Sequence, residues 1–321
     1  MRADAEVVAL DLDTRSRSEK SARGIVRRAF SASRTKRAAI LFKKIDSTLR
    51  GHVVAELAGA MNALPGGRPV LFAPAFPAQQ RTVCNAKLYL SGKSCSGDLR
   101  ALLSRAGLPA THIDLADVRG NTLAGALRAA LATGARALAC DAESDADLDR
   151  IAKAGLALRP KPLFVGSAGL ARALARTFSR KRPAPRTEAS RLPVITVVGS
   201  ASAVSALQAR RLARDPANIL VQMAWTREPR PRDIPAVRRL GRLVARAAPR
   251  VHYVLTGGET ARAVLGARGI REYRLLGEVE PGVPFGMTRD GTLVCTKAGA
   301  FGRPDTLAKC VARLKREMKG T

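Results

Sequence analysis

Three stretches of this chain repeat one design: an apolar run that ends in glycine and small hydroxyl residues, then passes into a helical pattern. Residues 162–169 read Pro-Leu-Phe-Val-Gly-Ser-Ala-Gly before a helix over 170–178. Residues 193–202 read Pro-Val-Ile-Thr-Val-Val-Gly-Ser-Ala-Ser before a helix over 203–213, and residues 251–260 read Val-His-Tyr-Val-Leu-Thr-Gly-Gly-Glu-Thr before one over 261–269. Strands that feed helices through short turns build mostly parallel sheets flanked by helices, and such sheets bind ligands at the carboxyl ends of their strands. Glycine in these turns lets the backbone approach a phosphate closely, while the following helix N-terminus offers free N–H donors. The pattern thus admits a nucleotide-phosphate site. The chain contains neither a G-x-x-x-x-G-K-[ST] loop nor a complete G-x-G-x-x-G, which excludes a P-loop enzyme and a standard dinucleotide binder.

A fourth stretch concentrates charge. The apolar run 38–42 delivers Lys43-Lys44-Ile45-Asp46-Ser47-Thr48-Leu49-Arg50-Gly51 into one turn, and Val53, Leu57, Ala60, Met61 and Leu64 follow at helical spacing. Ser47 or Thr48 is the expected cap of that helix. Cations beside a helix start suit an anionic ligand. Asp46 is the exception among them. It can take a proton from a substrate hydroxyl, help to hold a metal, or only salt-bridge its neighbours.

In chain order, residues 6–12 read as a first strand that ends in Asp13-Thr14-Arg15-Ser16, and residues 19–30 as a basic helix. A short strand over 70–73 leads into a proline turn that aims Arg81 and Thr82 across the same sheet edge; Arg81 is either a bidentate carboxylate binder or an exposed loop arginine. Helices are expected over 99–106, 121–133 and 145–158, with a strand over 135–140. The charged, proline-bearing stretch 179–192 reads as a linker between domains 1–178 and 193–321. The second domain closes with a turn over 278–285, a strand over 292–296, a further anion-friendly turn at Lys297 and Gly299, and a helix over 307–318.

Length and composition narrow the class. A chain of 321 residues with 46% apolar content can bury two cores. Its five scattered cysteines form no C-x-x-C pair and, with three histidines, offer no zinc spacing, so reduced thiols, no metal site in the protein itself and a cytoplasmic location are expected. No apolar run reaches membrane-span length. The net charge of +30 invites a nucleic-acid reading, but the basic residues are spread singly along helical faces with few aromatics between them, as a GC-rich genome produces. Nucleic acid is therefore not the expected partner. A field of this sign still draws in small anions.

Taken together, Thr14-Arg15, the 43–51 stretch with Glu56, Ala73-Pro74-Ala75-Phe76-Pro77 through Arg81-Thr82, Cys140-Asp141, the Gly166, Gly199 and Gly257 turns, and Lys297 to Gly302 resemble, in order, the four-carbon acid sugar kinase family. The resemblance implies an α/β protein of two domains with a ligand cleft between them: a sugar-binding N-terminal domain and a nucleotide-binding C-terminal domain. It implies an ATP-dependent kinase acting on a hydroxyl of threonate, erythronate or an oxo-tetronate, with Mg2+ on the nucleotide; the sequence leaves the oligomeric state open, a homodimer being one possible assembly. Arg15, Lys44, Ser47, Arg50 and Arg81 would bind the acid, with Asp46 as proton acceptor. Ser200, Gly257, Gly258, Glu259, Thr260, Lys297 and Gly299 would hold ATP. Family members begin with a strand and an Asp-Asp-Leu-Thr-Gly-Ala segment, so the resemblance also implies an N-terminal truncation and shortened stretches after Tyr89 and between Ala213 and Val251. The alternatives are a catalytically impaired truncated paralogue that binds ATP or the acid, and a basic nucleic-acid binder.

Overall fold

The short apolar runs are strands buried on both faces. In the computed structural model, which describes residues 6–32, 38–178, 189–225 and 233–318, the chain divides between Arg180 and Lys181 into two units. The first holds a parallel sheet in the order β1 (Leu41–Lys44), β8 (Leu163–Gly166), β2 (Val70–Ala73), β7 (Ala137–Cys140), β6 (Ala110–Ile113). Every residue of β2, β7 and β8 is buried, which explains why these strands read as unbroken apolar runs rather than alternating ones. A small antiparallel ribbon, β3 (Arg81–Cys84), β4 (Lys87–Leu90) and β5 (Lys93–Ser94), follows the proline turn. The proline turn therefore opens a strand where a loop was expected. Asp141, 1% exposed, braces the ribbon: its carboxylate accepts from the backbone N–H groups of Asn85 and Ala86 and from His112 Nε2 at 2.8, 3.0 and 2.9 Å.

Residues 6–12 are a correction. They form no strand, and Val7 and Val8 are 84% and 48% exposed. Alternation of apolar residues makes a strand only where a ladder and a core face receive it; β1 pairs with β8 and, among the described residues, with nothing on its other side.

The second unit carries a mixed sheet in the order β10 (Ile219–Gln222), β9 (Val194–Val198), β11 (His252–Thr256), β14 (Leu293–Lys297), β13 (Val283–Met287), β12 (Arg274–Glu280). The first four are parallel, and β13 and β12 are antiparallel additions at one edge. Residues 278–285 thus form a hairpin rather than a lone turn. The stretch between Ala213 and Val251, to which the sequence patterns assigned no element, is structured. It contains β10 and the helix Ile234–Ala247, whose buried Val237, Gly241, Val244 and Ala245 keep helical spacing between arginines. The linker expected over 179–192 falls largely outside the described residues.

Candidate functional site

Strand alternation sends Lys43 and Lys44 to opposite faces of β1. Lys43 Nζ pairs with Glu56 Oε2, while Lys44 Nζ donates to the Ile45 carbonyl at 2.8 Å. Burial lowers the Lys44 pKa, the Asp46 charge opposes that shift and the Lys43 charge adds to it. The turn beyond is built by Asp46. Its Oδ1 accepts from Thr48 N–H at 2.9 Å, Thr48 Oγ1–H at 2.6 Å and Arg50 Nε at 3.2 Å, and its Oδ2 accepts from Arg50 Nη2 at 3.1 Å. Arg15 Nη1 stands 3.9 Å from Oδ2. Burial alone would raise the Asp46 carboxyl; the hydrogen bonds from Arg50 and Thr48 outweigh it and hold the group ionised, well below the usual carboxylate range. Leu49, at φ 60°, and Gly51, at φ 96°, bend the turn through the left-handed region, a costly backbone for leucine.

Ser47 and Thr48 do not cap the following helix, a second correction. Val53–Ala63 starts after His52, which makes no side-chain cap bond, because Thr48 is taken up by Asp46. Ser47 Oγ instead accepts from Arg81 Nη1 at 2.7 Å, and the same Nη1 donates to Gln79 Oε1. Arg81 Nε is buried with no partner among the described residues. Four cations, Arg15, Lys44, Arg50 and Arg81, thus gather around one carboxylate and one hydroxyl at the carboxyl end of β1. Such a cluster attracts an anion.

In the second unit the carboxyl ends of the adjacent parallel strands β9, β11 and β14 bring together the Gly199, Gly257 and Gly299 turns. The fit is tight. A methyl at Gly199 would lie 2.1 Å from Thr260 Oγ1, and one at Gly299 would lie 2.0 Å from Ser200 Oγ. Gly257, at φ 97°, opens the helix Gly258–Ala267, and space is open beside Gly258, as backbone phosphate binding requires. Ser202 Oγ and Ser205 Oγ donate to the Gly299 carbonyl at 2.6 and 2.7 Å. Lys297, 3% exposed, donates from Nζ to the carbonyls of Ala298, Gly299 and Phe301 at 2.9, 3.0 and 3.0 Å. Its ammonium therefore staples the 298–301 loop. Burial brings its pKa down to about 8. Glu259 pairs with Arg238 at 3.3 Å.

The structure thus gathers Arg15, Lys44, Asp46, Ser47, Arg50 and Arg81 at one place in the first unit, and Ser200, Gly257, Gly258, Thr260 and Gly299 at one place in the second. The Gly166 turn lies beside the first group, with Ile45 N–H donating to the Gly166 carbonyl at 2.9 Å, but its own hydroxyl turns inward. Ser167 is fully buried with its Oγ on the Ala75 carbonyl at 2.6 Å, and a methyl at Gly169 would lie 2.5 Å from that same oxygen. Its glycines serve close packing. Sequence reasoning gave no role to Gln79, Ser202 or Ser205, whose partners lie across turns. It also missed Trp225, whose Nε1 donates to the Gly199 carbonyl at 3.2 Å. Its being the only tryptophan was the available signal.

Comparison with known proteins agrees with this division of labour. Residues 1–174 match a sugar-binding N-terminal domain and residues 221–307 a nucleotide-binding C-terminal domain. The chain is 36% identical to the D-threonate kinase of Cupriavidus necator, over 94% of this chain and 86% of that protein. It is 32% identical to the D-threonate kinase of Bordetella bronchiseptica, over 97% and 87%, and 28% identical to the 3-oxo-tetronate kinase of Pseudomonas fluorescens, over 97% and 87%. Solved structures from Haemophilus influenzae and Salmonella typhimurium share the fold at TM-scores of 0.74 and 0.76, each at 18% identity. The first covers 93% of this chain and 88% of its own, the second 92% and 86%. With its sugar-binding half matched throughout and kinase relatives above 30% identity along nearly all of its length, the chain belongs to the four-carbon acid sugar kinase family.

Proposed function

We propose that the chain is an ATP-dependent kinase that phosphorylates a hydroxyl of a four-carbon sugar acid, with D-threonate as the first candidate and 3-oxo-tetronate as the second. The order follows the relatives: those named D-threonate kinase stand at 36% and 32% identity, the 3-oxo-tetronate kinase at 28%. The observation that carries the reading is the ionised Asp46 set among Arg15, Lys44, Arg50 and the Arg81–Ser47 pair.

Arg15, Lys44 and Arg50 bind the substrate carboxylate and offset charge on the transferring group, and the unpartnered Arg81 Nε donates to a substrate oxygen. Asp46 Oδ2 holds one hydrogen bond, from Arg50, and so has a lone pair left for the attacking hydroxyl. A carboxylate this acidic is a weak base. Phosphoryl transfer through a loose transition state asks mainly for orientation, and the proton leaves late. In the second unit, the free N–H groups at the start of Gly258–Ala267 and the open space beside Gly258 fit nucleotide phosphates. Magnesium carried by the nucleotide would neutralise phosphate charge.

The test is ADP release by the purified chain with Mg-ATP against D-threonate, D-erythronate and 3-oxo-tetronate. Acid-dependent turnover, highest with D-threonate, is the expected result. ATP binding without turnover on any acid would sink the reading and favour a chain that only binds.

A further inference from the structure

Two segments line the proposed sugar-acid site, 13–17 and 43–50, and they are held very differently. Residues 43–50 leave a sheet strand. Residues 13–17 belong to no strand or helix, and the backbone before them is exposed at Val7, Val8 and Leu10. Arg15 itself is 64% exposed, and its 3.9 Å approach to Asp46 is too long for a hydrogen bond. Left to this contact, the guanidinium would sample a wide volume, and the substrate would lose the rotamer and loop entropy on binding.

The first turn of the helix Val53–Ala63 removes that freedom. Glu56 is 7% exposed, and its two oxygens face two different segments. Oε1 accepts from Thr14 Oγ1 at 2.5 Å, and Oε2 pairs with Lys43 Nζ. One position before this helix, His52 Nε2 donates to the Arg17 carbonyl at 2.7 Å. Arg15 is therefore bracketed by two anchors, Thr14 and Arg17, both fixed to residues 52–56. The helix Glu19–Ser31 continues the attachment: a methyl at Gly59 would fall 2.4 Å from the Arg23 carbonyl oxygen, so the two helices meet backbone to backbone. A carboxylate this buried requires partners, and it has taken both of them from the edges of the site.

We propose that Glu56 is the positioning residue of the sugar-acid half-site. Through Thr14 it sets the place of Arg15, and by pairing with Lys43 it takes that lysine's charge out of the site. This rests on the kinase reading above and adds to it a residue that touches no substrate. Conformational freedom at residues 13–17 and affinity for the acid are then linked quantities.

The test uses Thr14→Val, which removes the hydroxyl that reaches Glu56 and leaves the Lys43–Glu56 pair in place. The KM for the sugar acid rises about tenfold with the KM for ATP unchanged. Amide exchange at Arg17, whose N–H donates to the Thr14 carbonyl at 3.0 Å, accelerates by about the same factor. Thr14→Ser keeps the hydroxyl and restores both. A wild-type acid KM in Thr14→Val, or an equal rise in both KM values, overturns the positioning role. Exchange is read without substrate. If the wild type turns over none of the acids, the kinase reading fails by itself, and the exchange comparison still decides whether Glu56 holds the segment: unchanged exchange in Thr14→Val overturns it.

Discussion

Lys297→Met probes how the loop over residues 298–301 is held. The lysine is 3% exposed and spends its ammonium on three carbonyls. Two opposing quantities follow. A hydrogen bond from a charged donor contributes about 1.5–3 kcal/mol, but Ser202, Ser205 and Gln208 also donate to two of these carbonyls and soften the loss. Against this stands the cost of burying the charge. The folded pKa of about 8 lies below the ordinary 10.5, and that difference corresponds to about 3 kcal/mol. Met fills much of the same volume without that cost, so the variant should lose about 2 kcal/mol at pH 7. The pH dependence is the sharper readout. Between pH 8 and 10.5 the unfolded chain holds a proton that the folded chain has released, so this group makes stability rise with pH. Below pH 8 its contribution is flat. Denaturant unfolding of both proteins at pH 7 to 10 should therefore show the wild-type advantage widening by about 2 kcal/mol across the alkaline range. Parallel pH curves, or a variant as stable as wild type at pH 7, would refute the account of Lys297 as a buried, charged staple.

Three further outcomes are expected. Asp46→Ala should lower turnover at least about 100-fold while ATP affinity stays within about threefold; equal losses in both would remove Asp46 from the chemistry. The low folded pKa of Asp46 also contributes stability that is present above its unfolded value of 3.8 and lost as pH falls below it, so Asp46→Asn should flatten that part of the acid unfolding curve. Gly299→Ala would set a methyl 2.0 Å from Ser200 Oγ and 2.9 Å from Ser200 Cβ, and should raise the KM for ATP. An unchanged KM for ATP would remove this turn from the nucleotide site.

Local signals in the chain were sufficient for much of the architecture. The apolar runs at β2, β7 and β8 were legible because a strand covered on both faces carries no polar residue to confuse its period, and β9 and β11 stayed legible although they bury Thr196, His252 and Thr256. The helix Asp145–Ala157 announced itself through an acidic start, and the structure adds a reciprocal capping box between Ser144 and Asp147. Asp46 and its cations were legible as a cluster because they are neighbours in sequence as well as in space.

What the sequence by itself determined, then, was which segments form strands and helices and that two groups of anion-friendly turns exist. Only the tertiary structure decided which turns face one another and which side chains remain available. Thr14 reaches Glu56 across 42 residues, Arg81 reaches Ser47 across 34, and Ser202 reaches the Gly299 carbonyl across 97. Other contacts turned Ser167 onto the Ala75 carbonyl and committed Lys297 to backbone carbonyls, and residues 6–12 were left without a ladder. The physical reason is that periodicity and turn chemistry are set by neighbours along the chain, whereas burial and hydrogen-bond pairing are set by whatever the fold brings alongside.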